Sequence, residues 1–172
     1  MMNSELCLVE VSGSEMTGGI DVLEPIFAAV RDGVSERLSC GFGNSWPTLN
    51  LFLTGEQYAT SPPLGHAVLG GAIIELSEPM QLLVLLESRE AVTVRDELNQ
   101  VTFEQLLVRN GERVVGQFED SYPDDAMREL AEAVPGRVLA SMREGLSALQ
   151  EFYGGVRVEK GFCVAKRLYG HL

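Results

Sequence analysis

Residues Val101 to Glu119 read VTFEQLLVRNGERVVGQFE, and the rest of the chain is organised around this stretch. Asn110-Gly111 sits at its centre, with Thr102–Arg109 before it and Glu112–Glu119 after it. A two-residue Asn-Gly loop suits the left-handed backbone of a type I′ turn, so the pattern predicts a β-hairpin. The register then follows. Arg109 faces Glu112, while Leu107 faces Val114 and Phe103 faces Phe118 on one apolar face, because side chains alternate along a strand. The opposite face mixes Leu106, Val108 and Val115 with Glu104, Arg113 and Gln117. Such a sheet is expected to be covered mainly on one side.

The cover is predicted to come from the residues that follow. Pro123 suits the first turn of a helix, and Asp124 and Asp125 suit the same turn through the helix dipole. This helix is expected to end near Pro135-Gly136, where a second begins. Its apolar residues, from Val138 and Leu139 through Met142, Leu146 and Leu149 to Phe152 and Tyr153, fall within an arc of about 140°. Gly145 lies in that arc and permits close approach to the sheet. Gly154-Gly155 stops the helix.

Working back towards the N-terminus, Ala91–Arg95 reads as a short strand and Gln81–Glu87 as a buried one. Ala67–Leu76 leans to strand through the β-branched Ile73 and Ile74. Leu49, Leu51 and Leu53 alternate with their neighbours, which predicts a strand over Thr48–Thr54. A helix is expected from Asp21, Glu24 and Pro25 to about Arg37, and a first strand over Leu6–Val11. At the other end, Val156–Val158 and Phe162–Ala165 bracket Lys160-Gly161 as a small hairpin in a basic tail over 156–172. The expected fold is α+β. It is a single domain over 1–172, with a largely antiparallel sheet of about 5–7 strands packed by an N-terminal helix and a long C-terminal helix.

Charge narrows the function classes. Of 172 residues, 45% are hydrophobic and 22% charged, and the net charge is −12. Residues 1–155 hold nine arginines, no lysine and 24 acidic residues. Residues 156–172 hold Arg157, Lys160, Lys166 and Arg167 against Glu159. Nucleic acid and anionic membranes need cationic surface, so neither is expected as a partner. The longest strongly apolar block, Leu82–Leu86, is far too short to span a bilayer. Met1–Glu5 holds no basic segment before an apolar one, and Cys7, Cys40 and Cys163 are three widely spaced thiols. Both features point to a reduced, cytoplasmic protein.

No catalytic constellation stands out. His66 and His171 have no Gly-x-Ser-x-Gly elbow beside them and no metal-ligand spacing. Gly41-Phe42-Gly43 lacks the third glycine and the Lys-Ser/Thr of a phosphate loop, and reads as a turn beside Trp46. The expectation is therefore a non-enzymatic protein without cofactor or metal that binds a basic protein partner. By class analogy it is an acidic immunity-type inhibitor masking a toxin or effector. Its contact residues are Glu119, Asp120, Asp124 and Asp125, where the hairpin meets the helix, extended by Asp96 and Glu97. One alternative is a secretion-effector chaperone with an exposed apolar groove. Another is a small-molecule binder or enzyme of helix-grip type, with a cavity between sheet and C-terminal helix where Gly145 and Gly116 leave room and Gln105 supplies a polar contact.

Overall fold

Two long strands with clean alternation of side chains meet in the middle of the molecule. They are β1 (Asn3–Val11) and β5 (Cys163–His171), paired antiparallel from Asn3 opposite His171 to Val11 opposite Cys163. The computed structural model describes residues 3–76, 81–119 and 128–171. These residues form one five-stranded antiparallel sheet in the order β2-β1-β5-β4-β3, with β2 at Ser39–Phe42, β3 at Ala72–Glu75 and β4 at Leu82–Leu86. The segment over 163–171 is therefore the central strand and not part of a tail. The anticipated small hairpin is replaced by a 3-10 turn at Val158–Lys160 that leads into it.

Alternation sorts the sheet into two faces. Leu6, Leu8, Phe42, Leu86, Val164 and Leu168 point to one side, under the helices α3 (Trp46–Thr54), α4 (Leu64–Val68), α5 (Ser88–Gln100), α6 (Phe103–Glu119) and α7 (Arg128–Gly155). Cys7, Val9, Val11, Leu83, Ala165 and Tyr169 point to the other, where Leu23 and Phe27 of α2 (Ile20–Arg31) close a smaller core beside the short α1 (Gly13–Thr17). The fold is thus α+β, with helices on both faces of an open sheet. The strands expected at Leu6–Val11 and Gln81–Glu87 are β1 and β4.

The Asn110-Gly111 hairpin does not form, because the stretch is one continuous helix, α6. Phe103, Leu106, Asn110 and Val114 are buried at spacings of three and four, which is helical and not strand periodicity. Thr102 and Gln105 close a capping box at its start: the Gln105 amide donates to Thr102 Oγ1 at 3.2 Å and the Thr102 amide to Gln105 Oε1 at 3.0 Å. Asn110 is not a turn residue. Its Nδ2 donates to the carbonyl of Phe52 at 2.9 Å, one of the carbonyls left over at the end of α3. Arg113 Nη1 reaches the carbonyl of Gly55, the left-handed residue that terminates α3, at 2.8 Å. Asn110→Ala should cost about 1–3 kcal/mol in urea denaturation, because the buried Phe52 carbonyl loses its donor. A loss below about 0.5 kcal/mol would show that the amide does not secure α3.

Other helices stand where strands were expected. Thr48–Thr54 lies in α3, with Pro47 in its first turn and Gly55 at its end. Leu49 to Leu53 are all buried, so α3 is enclosed on every side and has no polar stripe to betray it. Ala91–Arg95 lies in α5, opened by a capping box between Glu87 and Glu90. The strand expected over Ala67–Leu76 is confined to β3, and its first residues belong to α4. The N-terminal helix stops at Arg31 instead of Arg37, with Gly33 at φ +68° two residues on. Pro135 is inside α7, so no break separates two helices there. Phe103 and Phe118 do not face one another: Phe103 packs on Phe52 with ring centroids 5.3 Å apart, while Phe118 is only partly buried.

Candidate functional site

Four separate segments converge at the β2 edge of the sheet. The last turn of α2 supplies Val30 and Arg31, β1 supplies Glu5 and Cys7, β2 and the residue after it supply Gly41 and Gly43, and β5 supplies Tyr169. Together with their neighbours they line a cleft of about 310 Å³. Register places Glu5 opposite Tyr169 and Cys7 opposite Gly41, so these side chains share one face. A Cβ added to Gly41 or Gly43 would meet nothing within 4 Å, so the two glycines leave the floor bare.

Tyr169 is the unusual member. It is 6% exposed, and its hydroxyl is buried without a hydrogen-bond partner. A buried hydroxyl left unpaired costs free energy, so such a group calls for an explanation. The ring lies between two guanidinium groups, Arg31 at 4.5 Å and Arg167 at 4.6 Å from its centroid. Burial pushes the phenol above its ordinary pKa, and Arg31 is close enough to oppose that shift without meeting the geometry of a hydrogen bond to the hydroxyl. The two arginines differ. Arg167 is buried and spent: Nε donates to Glu24 of α2 at 3.0 Å, Nη1 to its neighbour's carbonyl, and Nη2 to Gln81. Arg31 is exposed and forms no ion pair among the described residues; Tyr169 acts on it most strongly, ahead of the fields of Glu5 and Asp32. Cys7 beside it is inert as a nucleophile, because burial raises its thiol to about 11.

A second cleft, of about 650 Å³, opens where β1 ends and α7 gives way to β5. Apart from that of Glu36, its charges are already paired. Glu10 is buried and receives Arg157 through the backbone amide at 2.7 Å and Nε at 3.0 Å, while Arg157 stacks on Phe162 at 3.8 Å. Arg37 grips Glu15 through both terminal nitrogens at 2.9 and 2.6 Å. These pairs tie α1 to the segment leading into β2, and the exit of α7 to β1.

On the other face of the sheet, Lys166 is fully buried in the central strand. Its Nζ donates to the carbonyls of His66 and, at 2.8 Å, Gly70, at the end of α4. Tyr153 Oη donates to the carbonyls of Ala67 at 3.0 Å and His66 at 3.2 Å. Burial holds the Lys166 amine well below its ordinary pKa, and Glu90 is too weak a counter-field to restore it. His66 is lowered as well, by burial and then by Lys166. The imidazole has no catalytic partner in this arrangement, and only its backbone is engaged.

Of the residues expected to contact a partner, three can be placed, on two different helices. Asp120, Asp124 and Asp125 lie outside the described residues, as do Pro123 and the start of the helix expected there. Glu119 is the last residue of α6. Asp96 and Glu97 are on α5, and the strand that was to carry them towards the others does not exist. Asp96 is paired with Arg95 at 3.2 Å, and Arg95 reaches Glu159 at 2.7 Å. The residues singled out for an internal cavity have other work. Leu49 Cδ1 stands 3.0 Å from where a Gly145 Cβ would be, so that space is filled. Gln105 caps α6. Gly116 does border open space, a shallow hollow on α6 beside Leu107 and Val115. Trp46 is core, its Nε1 donating to Ser4 at 2.9 Å. Among the described residues no cluster of three metal-ligating side chains occurs. Nor is any helix among them long and apolar enough to cross a membrane.

The layered sheet and its helices define an α+β module whose sites are clefts at the sheet margins. Over residues 10–161 the chain matches the family described as a domain of unknown function, DUF1877, and it belongs to that family. The crystal structure of YfbM, a protein of unknown function from Escherichia coli, is similar in fold. It has 18% sequence identity and a TM-score of 0.65, over 98% of this chain and 100% of that one. No curated protein is similar enough to match.

Proposed function

We propose that the protein is a binding module that takes a small molecule in the cleft between α2 and the β1–β2 edge. The observation that supports this is the buried Tyr169 hydroxyl, unpartnered at a concave site of ligand size. A polar group kept in that state is readily explained if a ligand supplies the missing partner. The test uses two variants. Tyr169→Phe removes a hydroxyl that bonds to nothing, so thermal stability should be unchanged or raised by up to about 1 kcal/mol. Gly41→Trp should fill the cleft without disturbing the strand, since nothing stands near its Cβ. A thermal-shift screen against a metabolite library should find ligands that stabilise the native protein and lose their effect in both variants. Hits that survive Gly41→Trp unchanged would place binding elsewhere.

A protein partner is the second reading, and β3 favours it. That edge strand carries the half-exposed Ile73 and Ile74, and one side of its backbone has no strand partner. Ile73→Lys with Ile74→Lys should abolish capture of such a partner in a pull-down while leaving the thermal transition in place.

A further inference from the structure

The cleft carries fixed charges of both signs that do not pair with each other, unlike those of the second cleft. Arg31 stands on the helix wall and Glu5 on the strand opposite, and neither forms an ion pair among the described residues. The Tyr169 hydroxyl lies beside the Arg31 guanidinium, which is the nearest positive charge, so that end suits an oxyanion. The Glu5 end suits a cation. Between them the lining includes Val30, and the bare Gly41 lets a ligand lie against the sheet margin. Among the described residues β2 is an edge strand, paired with β1 on one side only. A volume near 310 Å³ is at the small end of ligand sites, which suits a small molecule.

We infer that the cleft binds a small zwitterion of the amino-acid class, its carboxylate between Arg31 and Tyr169 and its ammonium towards Glu5, with an apolar side group on the floor. The inference rests on the cleft being a ligand site. It is tested by isothermal titration of the full chain at low salt with two matched sets of probes. One set is L-leucine, 4-methylpentanoate and 3-methylbutylamine; the other is L-phenylalanine, 3-phenylpropanoate and 2-phenylethylamine. In at least one set the amino acid should bind about tenfold or more tightly than either analogue that lacks a charge. Glu5→Gln should erase the advantage over the carboxylate, Arg31→Gln the advantage over the amine, and Gly41→Trp should abolish binding altogether.

If a carboxylate analogue binds as tightly as its amino acid, the site is a simple anion site and the inference is overturned. If no probe in either set binds, it is overturned as well, and the metabolite screen then decides the fate of the cleft. A library hit lost in Gly41→Trp would keep the ligand site and discard only the zwitterion. No hit in that screen would discard both.

Discussion

Lys166→Met is expected to flatten the pH dependence of stability on the alkaline side of neutrality, below the ordinary thiol range. The folded protein holds the Lys166 amine well below 10.5, its ordinary value, because burial disfavours the ammonium. Between those two values the unfolded chain binds the proton and the folded chain does not. Stability therefore rises with pH through that window, at most by about 1.4 kcal/mol per unit, and is fully reached only above the unfolded value. Acids shifted in the opposite sense interfere only at higher pH. Cys7 and Cys40, raised to about 11 and about 12 by burial, lose stability as pH climbs past the ordinary thiol range, and Tyr153 behaves likewise past 10. His66, lowered from 6.5, acts below the window. Urea denaturation of the native protein and the variant at several pH values isolates the lysine, since every other group cancels in the difference. Parallel lines for the two proteins would mean that Lys166 carries its charge inside the fold.

Phe52→Ala should cost about 3–5 kcal/mol and Phe118→Ala less than about 1.5 kcal/mol. Phe52 is fully buried between α3 and α6, its ring against Phe103 and its carbonyl held by Asn110. Truncation opens a cavity among side chains that cannot collapse into it without moving two helices. Phe118 sits near the end of α6 and is only partly buried. A hairpin over Thr102–Glu119 would reverse this order, with Phe118 in the core opposite Phe103. Equilibrium denaturation of the two variants therefore discriminates directly between strand and helix for this stretch, and a larger loss for Phe118→Ala would overturn the α3–α6 packing.

The hairpin expectation shows where local reading loses to tertiary structure. Asn-Gly is a strong turn signal, yet the Thr102-x-x-Gln105 capping box and the burial of residues 103, 106, 110 and 114 both favour helix. Asn110 is tolerated there because another helix end needs its amide. The strand expected at Thr48–Thr54 failed for a different reason. Full burial on every side removes the apolar stripe that marks a helix, and only Pro47 and Gly55 at its ends gave notice. Strand β4 was legible because its apolar residues are uninterrupted, and β1 because Glu10 alone breaks the apolar run from Leu6 to Val11. Strand β5 was not, since Lys166 and Arg167 give its middle the look of a solvated tail, and both are buried by partners distant in sequence. The candidate cleft was invisible for a similar reason. Its walls come from residues near positions 5, 31, 41 and 169, and its single local trace, Gly41-Phe42-Gly43, has the form of an ordinary turn.

The central place of β5 also constrains how the molecule can be made. Every other strand precedes it in order, so a nascent chain ending before residue 163 holds only two separate strand pairs, β1 with β2 and β3 with β4. Isolated two-stranded pairs are marginal in water, and each would present an open apolar margin. The complete sheet therefore forms only after β5 has been made. It closes when β5 enters between the waiting pairs and carries Lys166 to one face and Arg167 to the other, so that burial of both basic side chains and completion of the cleft fall at the same moment. Folding should be slow for a chain of this size, because nearly all of the sheet's stabilising contacts are distant in sequence, and the exposed halves are the species a chaperone would meet.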